Sequence, residues 1–335
     1  MMDSSKPLSI LDHVGGTPIL FVASRSKDTV DDYDEAADWL TQTAKHVEQV
    51  AEAKTKPEDW AEYLKYRDRG IALLKRINTA NREMLYPAFA DNQGAFVLDL
   101  SAESKRWVNQ MPEAREPLPM IEFGIVASVS DAEKLREGAK EYIAVVRDAI
   151  ALVREINPEE VPEFELPEAE ERELTGGGTL YQFALPAEWG LDEQISPNAG
   201  ITDKAAALTV MPAMTERLLG STPLKIDTSL DLKRPAATIM HCQFAEGIKA
   251  IRPWIDYGVG VATGSIKLEE EDGEEGDDEE EAQEQSPMMF QLGMFVPQVY
   301  QLLDVASVMK SATSITYEED GVWVTHSETH IEDLE

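Results

Sequence analysis

Cysteine is nearly missing from this sequence. The single Cys242 rules out an intrachain disulfide and any multi-cysteine zinc or iron–sulfur site. It leaves the compartment open, because a reducing cytosol and an exported protein that avoids thiols both fit. Long hydrophobic runs are missing too: nowhere do roughly 18 apolar residues follow one another, so no transmembrane helix is expected. Positive charge is scarce. The chain sets 30 basic residues against 64 acidic ones, for a net of -34. One stretch, 269–284, holds twelve acids and no base, and removing those twelve still leaves -22. Phosphate recognition needs Lys and Arg to displace counterions, so nucleic acid and anionic membrane are excluded as direct partners.

The chain has 335 residues, 43% of them apolar, which is enough to bury a sizeable core. The pattern alternates short β-prone runs with long amphipathic stretches. Residues 18–23 (PILFVA) predict a strand. Tyr33, Ala37, Leu40, Ala44 and Val47 fall on one face of a helix over about 30–53, and Pro57 opens a second helix running to about Leu85. Strands are predicted at 94–100 and 120–129, with a short helix at 101–110 between them that Pro112, Pro117 and Pro119 close off. Ser130, with Glu133 three residues on, predicts a capping box for a helix ending near Ile156, before Asn157-Pro158.

The second half opens with β-like runs at 164–174 and 179–185 about Gly176-Gly177-Gly178. A glycine triplet can cradle phosphate only when it leads into a helix, and here a strand follows, so a plain turn is expected. Strands at 205–211 and 236–244 alternate with helices at 213–219 and 246–257. Residues 288–308 mix helical spacing with Pro297, and 311–318 and 322–331 flank an Asp320-Gly321 hairpin signal. The expected fold is α+β: a twisted, mostly antiparallel sheet with helices packed on it, in two related halves. The first half is 1–160, a helical pair over 30–86 and then strand–helix–strand–helix. The second is 161–335, with a disordered acidic insertion at 269–285. The order of elements in 95–156 recurs in 207–260, which predicts an internal duplication, and residues 22–26 echo 126–130.

Segments 7–16 (PLSILDHVGG), 176–203 (GGGTLYQFALPAEWGLDEQISPNAGITD), 252–260 (RPWIDYGVG) and 321–329 (GVWVTHSET) resemble a family of uncharacterised planctomycete proteins. The resemblance implies an exported, larger polypeptide in which this region is the C-terminal half, and it supplies no active-site residues. The N-terminus as written shows no basic leader, apolar core or cleavage site, which predicts a cytoplasmic chain. An exported or periplasmic location is expected instead if the chain is a fragment.

Few constellations bear chemistry. His326, Glu328 and His330 share one face of a strand and are plausible zinc ligands by type, but two histidines four residues apart on a strand lie about 13 Å from each other. A polar strand face is the expected reading. His241-Cys242 is an unsuitable nucleophile pair, because adjacent strand residues point to opposite faces. Asp12-His13 before Gly15-Gly16 reads as a turn with a local hydrogen bond. Trp39 and Trp60 lie on apolar helix stripes and are expected in the core, whereas Trp189 is expected to anchor a loop. The acidic run lacks an EF-hand's ligand pattern and predicts only weak divalent-cation association. No catalytic or cofactor-binding residue is assigned, no cofactor is implied and the metal question stays open. The leading expectation is a non-enzymatic binding or structural protein, with a cell-envelope assembly as one setting. The alternative is a hydrolase using His13 or carboxylates in a cleft between the halves.

Overall fold

The computed structural model describes residues 2–158, 167–266 and 287–332. The acidic stretch expected as a disordered insertion lies outside them, as do residues 159–166.

The chain begins with a 3-10 turn, Ser9–His13, and strand β1, Leu20–Arg25. Helix α1, Val30–Lys54, starts at a capping box in which Thr29 Oγ1 accepts from Asp32 N and the Asp32 carboxylate accepts from Thr29 N at 2.8 Å. Helix α2, Pro57–Ala80, has Pro57 in its first turn, where the missing amide costs nothing. It continues through a π turn, Asn81–Leu85, into the short α3, Tyr86–Ala88. Strand β2 is Gln93–Asp99; β3, Glu103–Ser104, and β4, Leu118–Pro119, make a small separate ladder; β5 is Glu122–Ser128. The helix expected at 101–110 is not formed. Ser104 sits in β3, and the buried carboxylate of Glu122 gathers Ser101 N, Ser101 Oγ and Ala102 N at 3.1, 2.6 and 2.8 Å, fixing an extended turn instead.

Helix α4, Ala132–Ile156, is capped one residue later than expected. Asp131, not Ser130, accepts the Lys134 amide at 3.0 Å. Next come β6, Glu170–Glu173, β7, Thr179–Gln182, β8, Asn198–Ile201, and β9, Ala205–Thr209. Helix α5, Pro212–Leu219, leads by a long loop to β10, Thr238–Gln243. Helix α6, Phe244–Ala262, helix α7, Pro287–Ala306, and the hairpin β11, Met309–Glu319, and β12, Val322–Ile331, complete the chain. The hairpin turns at Asp320 and Gly321, both with positive φ, as the Asp-Gly signal requires.

Among the described residues ten strands form one antiparallel sheet in the order β12-β11-β10-β1-β2-β5-β9-β8-β7-β6, with helices packed on it, so the fold is α+β. Strands from both halves of the chain interleave: β10 pairs with β1, and β9 with β5. The expected match of 95–156 with 207–260 does not extend to the sheet. There β2 and β5 are neighbours, but β9 and β10 are separated by β5, β2 and β1. A different correspondence is present. From β1 the chain leaves through α1 and α2, returns in the adjacent antiparallel β2, and steps on to β5. From β10 it leaves through α6 and α7, returns in the adjacent antiparallel β11, and steps on to β12. The two paths run opposite ways from the antiparallel β1–β10 pair.

One face of the sheet is covered. Phe21, Ala23, Val97, Val126, Ala207, Ile239 and Ile315 lie beneath Ile10, Val14, Met120, Met214 and Leu218, which come from the N-terminal turn, a loop and α5. The approach is close: a Cβ on Gly200 would sit 2.4 Å from Leu219 and 2.5 Å from Thr215 of α5. Under the same helix a buried Asn198–Thr209–Thr215 cluster exchanges side-chain hydrogen bonds, which removes the cost of burying it. A second, smaller cluster joins Ala88, Val129, Leu135 and Ile201 where α3 and α4 leave the sheet. Beyond it α1, α2 and α4 associate through polar side chains, with Arg76 bridging Glu141 at 2.7 Å and Asp148 at 2.5 Å, and Tyr33 Oη donating to Asn78 at 2.8 Å.

Candidate functional site: an open apolar sheet face and a strand-end cleft

Strand residues alternate between faces, so the partners of the covered residues define the other face. There the register aligns Met240, Val22, Phe96, Ile125 and Leu208 in one row across β10, β1, β2, β5 and β9. A second row sets Cys242, Leu20, Leu98 and Phe123 side by side. These are central strands, yet Ile125 is 55% and Leu208 62% exposed, and Phe96, Phe123 and Met240 are exposed as well. Toward β11 and β12 the same face turns polar, with Ser314, Thr316, Thr325 and Ser327. An antiparallel sheet with one wet face normally alternates apolar with polar residues, and near-continuous apolar runs belong to sheets covered on both sides. Residues 95–98 (AFVL) and 123–127 (FGIVA) are of the second kind.

A cleft lies at the strand ends beside α6. One hollow of about 230 Å³ is lined by Lys225, Asp227, His241, Gln243, Lys310 and His330, among others. An adjoining hollow of about 620 Å³ includes Asp99, Ser101, Glu103 and Lys249, and both touch Thr17, Gln243 and Glu246. Asp99 is buried and ion-paired with Arg217 of α5, while Arg217 Nη2 has no hydrogen-bond partner among the described residues. His241 packs on Phe21, with ring centroids 6.0 Å apart, and its Nδ1 lies 2.8 Å from Thr313 Oγ1. Burial lowers its pKa, which favours the neutral ring.

The residues singled out from the sequence are dispersed. His241 points to the covered face and Cys242 to the open one, and burial pushes the Cys242 thiol up. His326, Glu328 and His330 share a strand face, but each is engaged separately. His326 Nε2 is 3.3 Å from Tyr317 Oη. Glu328 accepts from Thr228 Oγ1 at 2.6 Å and Ser229 N at 2.8 Å, bonds that hold its carboxyl below the usual range. His330 lies 3.7 Å from Asp227 and 3.8 Å from Glu332. Among the described residues no group of three or more His, Cys, Asp or Glu is placed to hold a metal. His13 Nδ1 lies 2.9 Å from Leu218 O, and Asp12 is exposed beside it. Gly177 and Gly178, both with positive φ, turn the chain between β6 and β7.

Trp39 overturns its expectation. It is 65% exposed, because α1 turns Tyr33, Ala37 and Ala51 inward and leaves its Trp39, Leu40, Val47 and Val50 side uncovered among the described residues. Trp60 is half-buried against Tyr63. Trp189 is exposed in a 3-10 turn, and Trp254 meets Trp107 edge-on at 5.1 Å while donating to Pro119 O. Sequence reasoning passed over Asp99, Glu122, Arg217 and the open face. Only the last had a signal, the two-sided apolar character of β2 and β5.

No protein-family model, curated protein or solved structure matches this chain.

Proposed function

We propose that this protein is a non-enzymatic binding module whose open sheet face docks a partner protein presenting an apolar surface rimmed by lysine and arginine. The observation that carries this reading is the row Met240–Val22–Phe96–Ile125–Leu208 on the central strands, in which all but the half-buried Val22 are exposed. A contiguous apolar patch of this kind marks an interaction site. The rim of the partner follows from charge: at a net of -34 a second copy of the chain is repelled and a basic partner is attracted. A cell-envelope setting, implied by the planctomycete resemblance, is compatible with such a partner. The hydrolase alternative has less support. Its base would need a nucleophile or an orienting carboxylate, but His13 Nδ1 is engaged by Leu218 O at 2.9 Å, and the buried Asp99 carboxylate by Arg217.

The test titrates the full chain with a helical leucine/lysine peptide whose leucines share one face, and with a serine/lysine peptide of equal charge. The leucine peptide is expected to bind saturably, and Ile125→Asp with Leu208→Asp to weaken it about tenfold or more. Equal binding of the serine peptide, indifference to the substitutions, or a stable dimer of the free protein would overturn the reading.

A further inference from the structure

The two edges of the sheet are unlike. At one end β6 is four residues long and sets the exposed Glu170, Glu171 and Glu173 along it. Shortness and charge are the usual protections of a strand with unpaired backbone groups. At the other end β12 runs for ten residues without lysine, arginine, proline or glycine, and among the described residues no strand lies beyond it. Its one carboxylate, Glu328, is taken up by Thr228 and Ser229 of a loop. The irregularity in the ladder, between Met309 and Ser311, falls in β11 and leaves β12 straight.

The register fixes which backbone groups are unpaired. The hairpin turns through two residues, Asp320 and Gly321, so Glu319 and Val322 close it as a hydrogen-bonded pair. At the far end Glu332 N donates to Val308 O at 2.9 Å. Even-numbered residues of β12 therefore turn their amides to β11, and Trp323, Thr325, Ser327, Thr329 and Ile331 turn theirs outward. The side chains of these five are exposed, and four of them are aromatic or β-branched, the types that favour cross-strand pairing. Charge then selects the occupant. Glu318, Glu319 and Asp320 are exposed at the hairpin end, and Asp227 and Glu332 at the other. A second copy paired antiparallel would set the hairpin acids beside Glu332, and one paired parallel would set them beside their own counterparts. Acid meets acid either way, whereas lysine or arginine at both ends of a foreign strand is attracted.

We infer that the β12 edge takes up an extended segment of a partner protein as an added strand, about ten residues long, threonine- and valine-rich in its middle and basic at both ends. Recognition runs through the backbone at the sheet's edge and does not rest on the docking reading of the open face.

The test follows amide hydrogen exchange in the 15N-labelled full chain. The probe is a peptide of alternating threonine and valine with two lysines at each end, and the control is a peptide of equal charge with prolines in its middle. Without peptide, the amides of Thr325, Ser327 and Thr329 are expected to exchange fast and those of His326 and Glu328 slowly. Saturating threonine/valine peptide is expected to slow the first three about tenfold or more. Ser327→Pro, which removes an outward amide and none of the β11 ladder, should weaken binding about tenfold or more. Thr325→Lys with Thr329→Lys, which keeps every backbone amide, should do the same if the proline variant fails to fold. Ile125→Asp with Leu208→Asp, on the open face, should leave binding of this peptide unchanged. The inference is overturned by outward amides that already exchange slowly without peptide, by no slowing with it, or by equal slowing with the proline control. Binding that the lysine pair leaves intact, or that the open-face substitutions abolish, would overturn it as well.

Discussion

On one side of the sheet Phe21, Val97, Val126 and Ile239 are closed to solvent, whereas one residue along the same strands Phe96, Ile125 and Met240 are open to it. The backbone is shared, and the side chains on both sides are apolar. What differs is the cover. The N-terminal turn brings Leu8, Ile10, Leu11 and Val14, and α5 brings Met214 and Leu218, to the first face. No described helix closes over Ile125 and Leu208 on the second. Hydrophobic stabilisation scales with the area removed from water, so the same residue types stabilise the fold on one face and are free to stabilise a complex on the other.

Substitutions should separate the two faces in proportion. Phe21→Ala, at a fully buried ring, is expected to lower unfolding free energy by about 3–5 kcal/mol in a denaturant titration. A loss under about 1 kcal/mol would mean the covered face is not tightly packed. Gly124 lies on that face of β5, where a Cβ would come 2.7 Å from Thr209 Cγ2 and 3.1 Å from Leu208 O. Gly124→Ala should therefore cost about 1–3 kcal/mol through overpacking. Its neighbour Ile125, on the open face, should behave oppositely, with Ile125→Ala costing less than about 1 kcal/mol in the same assay.

The smallest effect is one of pH. The His241 pKa is lowered in the folded protein, so below about 6.5 the unfolded chain binds a proton that the native ring refuses. Stability therefore falls as pH drops from 6.5 toward the folded pKa. The difference between wild type and His241→Gln, measured by denaturation across that window, should show a shallower fall for the variant. Parallel curves would mean that His241 titrates normally.

Much of this was legible in the sequence, for identifiable reasons. Short-range chemistry placed the elements: the Asp320-Gly321 turn, Pro57 at a helix start, and apolar runs at β1, β2, β5 and β10. The 101–110 segment misled because its local pattern was outvoted by Glu122, twenty residues away in sequence, which ties down the amides of Ser101 and Ala102. Trp39 misled because an apolar helix stripe predicts a covered face only when a neighbour is there to cover it. The sequence pattern pairs 95–156 with 207–260, a match that the strand order does not follow. In the sheet the similar strand order instead runs from β1 to β5 and from β10 to β12, with helical excursions of different length between the first two strands of each. The cleft was out of reach, because Lys225, His241 and Lys310 meet only through pairing of β10 with β11 and the path of the preceding loop.

The contrast between the faces is tested most directly by methyl-labelled isoleucine and leucine in the full chain, with a soluble paramagnetic probe. In the free protein the methyl signals of Ile125 and Leu208 should broaden while those of Ile239 and Ile315 stay sharp, and adding the leucine/lysine helical peptide should restore Ile125 and Leu208. Signals of Ile125 and Leu208 that are already protected without the peptide, or that remain broadened when it is bound, would contradict the assignment of this face as a docking surface.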